Sequence, residues 1–218
     1  MPPGSLTRIF LVRHGRVADG WSQRIYGDLD VPLSAAGEAD SRHLAEALRD
    51  VPLDAVVSSG LARAEYLAAQ VRSMRPGGSV LARIDEPDLR EIGRGAWAGM
   101  GEQEVEAEAP GSWSAFRRSG GVFVPPKGER FEELEQRVQL ALDRLARRFA
   151  GGRILVIAHR WVLTVAGART LGMALELGAR LEVQPCGSMV FDWPCAQGPD
   201  LAPTLVALAP DTVQWSAL

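Results

Sequence analysis

An α/β fold, arranged as a three-layer α/β/α sandwich around a mostly parallel sheet, is what three features of the sequence predict. Short apolar runs recur and each ends in a polar residue; amphipathic stretches of helical spacing separate them; and 218 residues suffice for one such sheet with helices on both faces. Sites in folds of this kind lie at the carboxyl ends of the strands.

The elements follow in order. Ile9 to Val12 reads as a buried strand that delivers Arg13, His14 and Gly15 into a loop. Ser34 suits the N-cap of a helix reaching about Leu48. Ala55 to Val57 is a second strand ending at Ser58 and Ser59, after which Leu61, Ala64, Leu67, Ala68 and Val71 share one helical face. Val80 to Ile84 predicts a third strand, ending at Asp85. Residues 96–128 hold two short helical pieces broken by Pro110, Gly120, Gly121, Pro125 and Pro126, which reads as an insertion over the site. Phe131, Leu134, Val138, Leu142, Leu145 and Phe149 form the longest apolar stripe, which Gly151 and Gly152 stop. Ile154 to Ala158 is a fourth strand, ending at His159. Met189 to Trp193 and Thr204 to Leu208 read as edge strands of a hairpin with its turn near Gln197 to Pro199. No repeat or linker interrupts residues 1–218, which are expected to form a single domain.

Composition narrows the function. The 24 Lys and Arg against 27 Asp and Glu leave a net charge of −3, so no overall positive field recruits nucleic acid or an anionic membrane, and any anion site must be local. Lys127 is the sole lysine, a bias that proves nothing about arginine function. Cys186 and Cys195 lack zinc or disulfide spacing, and no stretch is long and apolar enough for a membrane span. A soluble cytoplasmic protein is expected, and the sequence sets no oligomeric state.

Arg13, His14 and Gly15 put a planar cation, an imidazole and a residue permitting close approach to a ligand at one strand end. Ser58 to Ala64, SSGLARA, adds hydroxyls and Arg63 one turn into the next helix, a setting that suits phosphate. Leu89 to Gly99, LREIGRGAWAG, places Glu91 in a glycine-rich loop, and LVIAH ends at His159. His43 lies mid-helix with no partner motif. Arg117, Arg118, Lys127 and Arg130 in or near the insertion are candidates for contact with a second anionic group.

These ordered motifs, together with GDLDVPLSAAG at Gly27 to Gly37, resemble those of the histidine phosphatase superfamily, the phosphoglycerate mutase-like enzymes, from Ile9 to about Leu171. The resemblance implies that His14 is the nucleophile that becomes phosphohistidine. It further implies that Arg13, Arg63 and His159 bind the phosphoryl oxygens and that Glu91 is the general acid and then the base. Neither a metal nor a cofactor is expected, because guanidiniums and an imidazolium supply the positive charge. The substrate implied is a small phosphorylated metabolite. The sequence departs from the family pattern at Arg16, Val17 and Gly20 after the first histidine, at Asp40 and Leu67, and at Arg160 and Trp161 after the second. Arg16, Gly20, Arg160 and Trp161 are therefore the candidates for setting specificity. A cofactor-dependent phosphoglycerate mutase would share every catalytic residue, but the insertion between Gly99 and Gly128 is shorter than such mutases generally carry, which favours hydrolysis. A catalytically silent module that binds a phosphorylated ligand is the other alternative, and retention of a nucleophile argues against it.

Overall fold

The computed structural model describes residues 5–76, 81–196 and 201–209. Its sheet has six strands: β1 (Leu6–Arg13), β2 (Ala55–Ser58), β3 (Ala82–Asp85), β4 (Arg153–Ala158), β5 (Ser188–Pro194) and β6 (Thr204–Ala209), in the order β3-β2-β4-β1-β5-β6. β3, β2, β4 and β1 pair in parallel, while β5 is antiparallel to both neighbours. The mostly parallel three-layer sandwich is therefore the observed fold.

The period-two alternation of β1 sorts the layers. Ile9 and Leu11 point to one face, where they join a cluster with α6 (Phe131–Arg148) and α7 (Arg160–Thr170). Phe10 and Val12 point to the other and pack with α2 (Ala35–Ala47) and α3 (Ala62–Ser73). Both faces are buried, which is why the parallel strands read as unbroken apolar runs.

Local chemistry sets the helix starts. Ser34 accepts a hydrogen bond from Gly37 N at 3.0 Å and caps α2. Asp30 Oδ1 accepts from Ala62 N at 2.8 Å and does the same for α3 from a distant loop. A Cβ on Gly15 would collide with the Gly37 carbonyl. Gly15 thus serves the packing of the first loop on α2.

The third strand is an edge and is half-buried at best, since only Ile84 of its four residues escapes full exposure; Val80 lies outside the described residues. The hairpin turn at Gln197 to Pro199 also lies outside them. Between β3 and α6 the chain forms α4 (Glu102–Glu108) and α5 (Ser112–Arg118) on either side of Pro110. A short helix, α1 (Asp19–Ser22), follows the first loop, and α8 (Leu175–Gly178) follows α7. Ile25, Trp97 and Val105 form a small core of their own with Trp113, Phe116 and Phe123. Among the described residues no helix is long and apolar enough to cross a membrane.

Candidate active site

β1 and β4 pair in register up to Arg13 opposite Ala158, so the next residue of each strand, His14 and His159, leaves the sheet at the same level. Their ring centroids are 5.0 Å apart and both side chains are buried. His14 Nδ1 lies 2.6 Å from the Gly15 carbonyl oxygen. That oxygen can only accept, so the proton sits on Nδ1 and the lone pair on Nε2. Burial, then the charges of Arg63 and Arg13, hold the His14 pKa well below its ordinary 6.5. A neutral ring with Nε2 unprotonated is the nucleophilic form.

Arg63 meets that lone pair, with Nε donating to His14 Nε2 at 3.3 Å. Its other two nitrogens donate to Leu29 O at 2.6 Å and Gly27 O at 2.7 Å. The GDLDVPL segment thereby orients a guanidinium that is 0% exposed, and its Asp30 caps the helix that carries it. Arg13 donates through Nη1 to Val183 O at 2.8 Å, and its buried Nε has no partner. His159 Nε2 lies 2.7 Å from Ser59 Oγ, while its buried Nδ1 has none. Burial, followed by His14 and Arg63, lowers the His159 pKa well below 6.5. Two buried polar nitrogens near the nucleophile, Arg13 Nε and His159 Nδ1, thus have no protein partner.

Glu91 follows a 3-10 turn, Pro87–Leu89, in the loop after β3. Its carboxyl accepts from Ile92 N at 3.0 Å and from Trp161 N at 3.2 Å. Burial raises its pKa above the ordinary 4.5; the Ile92 N–H and then Arg63, Arg94 and Arg13 pull the other way and only reduce the shift. The loop is braced by Arg137 of α6. That side chain donates to the carbonyls of Asp88 at 2.6 Å, Arg90 at 2.8 Å and Glu91 at 3.2 Å, and pairs with Glu129 at 2.6 Å.

A cavity of about 280 Å³ opens beside these groups, lined by Arg13 and Glu91 and walled by Tyr26, Arg94, Phe116 and Trp161. That size suits a small molecule. Arg160 and Trp161 line it, as does Arg117 from α5. Arg16 does not: it turns outward, pairs with Asp40 at 2.7 Å and borders a separate hollow with the exposed His43. Gly20 lies exposed on α1 and is also outside the cavity lining. Lys127 borders another hollow, Arg130 pairs with Glu132, and Arg118 is absent from the lining. Three roles have no signal of their own in the sequence: Ser59 as the partner of His159, Arg137 as the brace, and Arg94 in the cavity wall. Ser59 lies within SSGLARA and Arg94 within LREIGRGAWAG, whereas Arg137 lies in no motif. Among the described residues no three His, Cys, Asp or Glu side chains converge as a metal site, and Cys186 and Cys195 are buried outside any disulfide.

The family model of the histidine phosphatase superfamily (branch 1) matches residues 9–198. Adenosylcobalamin/alpha-ribazole phosphatase of Escherichia coli (strain K12) is 30% identical over 184 residues, covering 84% of this chain and 89% of the relative. Metal-independent phosphoserine phosphatase of Arabidopsis thaliana is 33% identical over 161 residues, 72% of this chain and 66% of the relative. The solved alpha-ribazole phosphatase of Shigella flexneri superposes with a TM-score of 0.79 at 28% identity, over 94% of this chain and 98% of that one. With paired imidazoles and guanidiniums at the ends of parallel strands, and with that match across most of its length, the chain belongs to the histidine phosphatase superfamily and is a phosphatase.

Proposed function

We propose that the protein hydrolyses a phosphomonoester of a small metabolite through a phosphohistidine at His14, without a metal ion. The observation that carries this reading is the His14 ring itself, neutral, proton fixed on Nδ1, and Nε2 presented to a buried guanidinium. In the first half-reaction Nε2 forms a bond to phosphorus as the ester P–O bond breaks. Arg63, Arg13 and His159 hold the equatorial oxygens, whose charge they neutralise. Glu91, whose pKa burial raises, gives its proton to the leaving oxygen. In the second, water attacks phosphorus and yields a proton to the Glu91 carboxylate; the P–N bond breaks and inorganic phosphate departs. Residues 96–128 act within the same domain as a wall of the cavity, and reduced cysteines suit a cytoplasmic setting.

The test is hydrolysis of an aryl phosphate in excess chelator by wild type and His14→Ala. Turnover that survives the chelator and falls by about 10⁴-fold or more in the variant is expected. Equal turnover by His14→Ala removes the nucleophile, and loss of wild-type activity in chelator removes metal independence.

A further inference from the structure

We infer that Arg94 and Arg160 form a second anion subsite, so that the substrate carries, beside the phosphoryl group transferred to His14, another anionic group such as a carboxylate or a second phosphate. This rests on the reading of His14 as the phosphoryl acceptor.

Arg94 is 3% exposed, yet makes no ion pair among the described residues. Its one hydrogen bond there goes from Nη1 to the Gly121 carbonyl at 3.0 Å. Around it stand rings rather than carboxylates: its Cζ lies 5.3 Å from the centroid of Phe116, 5.6 Å from Trp161 and 5.9 Å from Phe131. Glu91 and Glu129 act on it only from beyond ion-pair distance, and Glu91 is the proposed proton donor. Burying a cation without a partner is costly, and cation–π contacts recover only part of that cost.

Arg160 makes the arrangement worse for the empty protein. Its Cζ sits 4.9 Å from the same Trp161 ring, its charge repels Arg94, and its buried Nε has no partner. It too makes no ion pair among the described residues, and both side chains line the cavity that Arg13 and Glu91 also line. Two guanidiniums on one indole, mutually repelling and without counterions, become favourable when an anion lies between them and the cavity. Arg24, another cation of the lining, differs: it is paired with Glu104 at 2.9 Å. The backbone is shaped for Arg94 as well. Gly121 has φ +91°, and a Cβ there would come within 2.9 Å of the Trp161 ring, so glycine is what lets this carbonyl reach the guanidinium.

Calorimetry with phosphonates, which cannot turn over, tests the subsite. Phenylphosphonate is compared with 3- and 4-carboxyphenylphosphonate, with the neutral carbamoyl analogues, and with benzene-1,3-bisphosphonate, on wild type, Arg94→Met and Arg160→Ala. At least one dianionic ligand is expected to bind wild type about tenfold or more tighter than phenylphosphonate. The carbamoyl analogues should show no gain, and either substitution should erase it. Carboxylate and bisphosphonate arms report which second anion is preferred. Arg160→Ala alters a residue at the cavity edge and reads the subsite even where Arg94→Met unfolds. Phenylphosphonate binding without any gain from the second anion overturns the subsite alone; so does a gain that survives both substitutions. No phenylphosphonate binding at all overturns the His14 reading with it.

Discussion

The floor of the site, around the His14 ring, and the wall of the neighbouring cavity each rest on a buried arginine, but the two are held in opposite ways. Arg63 in the floor has every guanidinium nitrogen engaged by protein, two by carbonyls and one by His14. Arg94 in the wall has one carbonyl and three aromatic rings, and burial pushes its pKa down to about 10. A cation whose donors are already directed needs no rearrangement when charge develops, which suits stabilisation of a transition state. A cation left without a counterion waits for a ligand, which suits selection among substrates. On the proposed function the contrast divides the labour of the site: Arg63 beside His14 serves the chemistry, while Arg94 and Arg160 discriminate.

Three experiments sharpen or break this division. The largest effect is expected at Glu91, which belongs to the floor by function. Glu91→Gln should lower kcat by about 10²–10⁴-fold. It should also remove the alkaline limb of the pH profile, because the raised carboxyl pKa sets where the proton needed by the leaving group is lost. The acid limb, set by His14 below its ordinary 6.5, should stay. An alkaline limb that persists in the variant assigns the acid elsewhere.

Next comes the brace. Arg137→Met frees three carbonyls of the Glu91 loop. It should reduce kcat by about 10²-fold through misplacement of the acid, with KM changed much less. Arg137→Lys should recover little, since an ammonium cannot reproduce the fork. A variant that melts earlier yet keeps kcat would mark Arg137 as a support of the fold only.

The smallest effect concerns stability. His14 and His159 both have folded pKa values below the ordinary 6.5, so the unfolded chain takes up protons first. Their contribution is complete above that value and declines as pH falls beneath it, by about 1 kcal/mol per histidine per pH unit. Glu91, shifted upward, opposes this in part. Urea unfolding at pH 7.5 and 5.5 should show the loss, and His159→Asn should diminish it. An equal loss in wild type and variant would mean that the His159 ring accepts a proton while folded.

Much of the floor was legible because strand ends and helix caps leave marks in sequence. The runs before His14 and His159 and the N-cap at Ser34 lie where their pattern puts them. The run at Val80 to Ile84 predicts a strand but not its place at the sheet edge, because an apolar run alone does not distinguish an edge from an interior strand; neighbours decide that. The wall was harder. Arg94 sits in a loop without periodicity, and its rings come from α5, α6 and α7, so nothing local announces the contact. Arg16 shows the converse: adjacency to His14 in sequence does not bring its side chain to the cavity, and it pairs with Asp40 instead.

The bond from Arg63 to the Nε2 atom of His14 also acts as a safety catch. In the resting protein the reactive electron pair is covered, so stray electrophiles that modify free imidazoles meet a guarded atom. On the proposed mechanism a phosphoryl group that reaches this atom takes over the Nε–H contact while the guanidinium stays on its two carbonyls, which couples reactivity to occupancy.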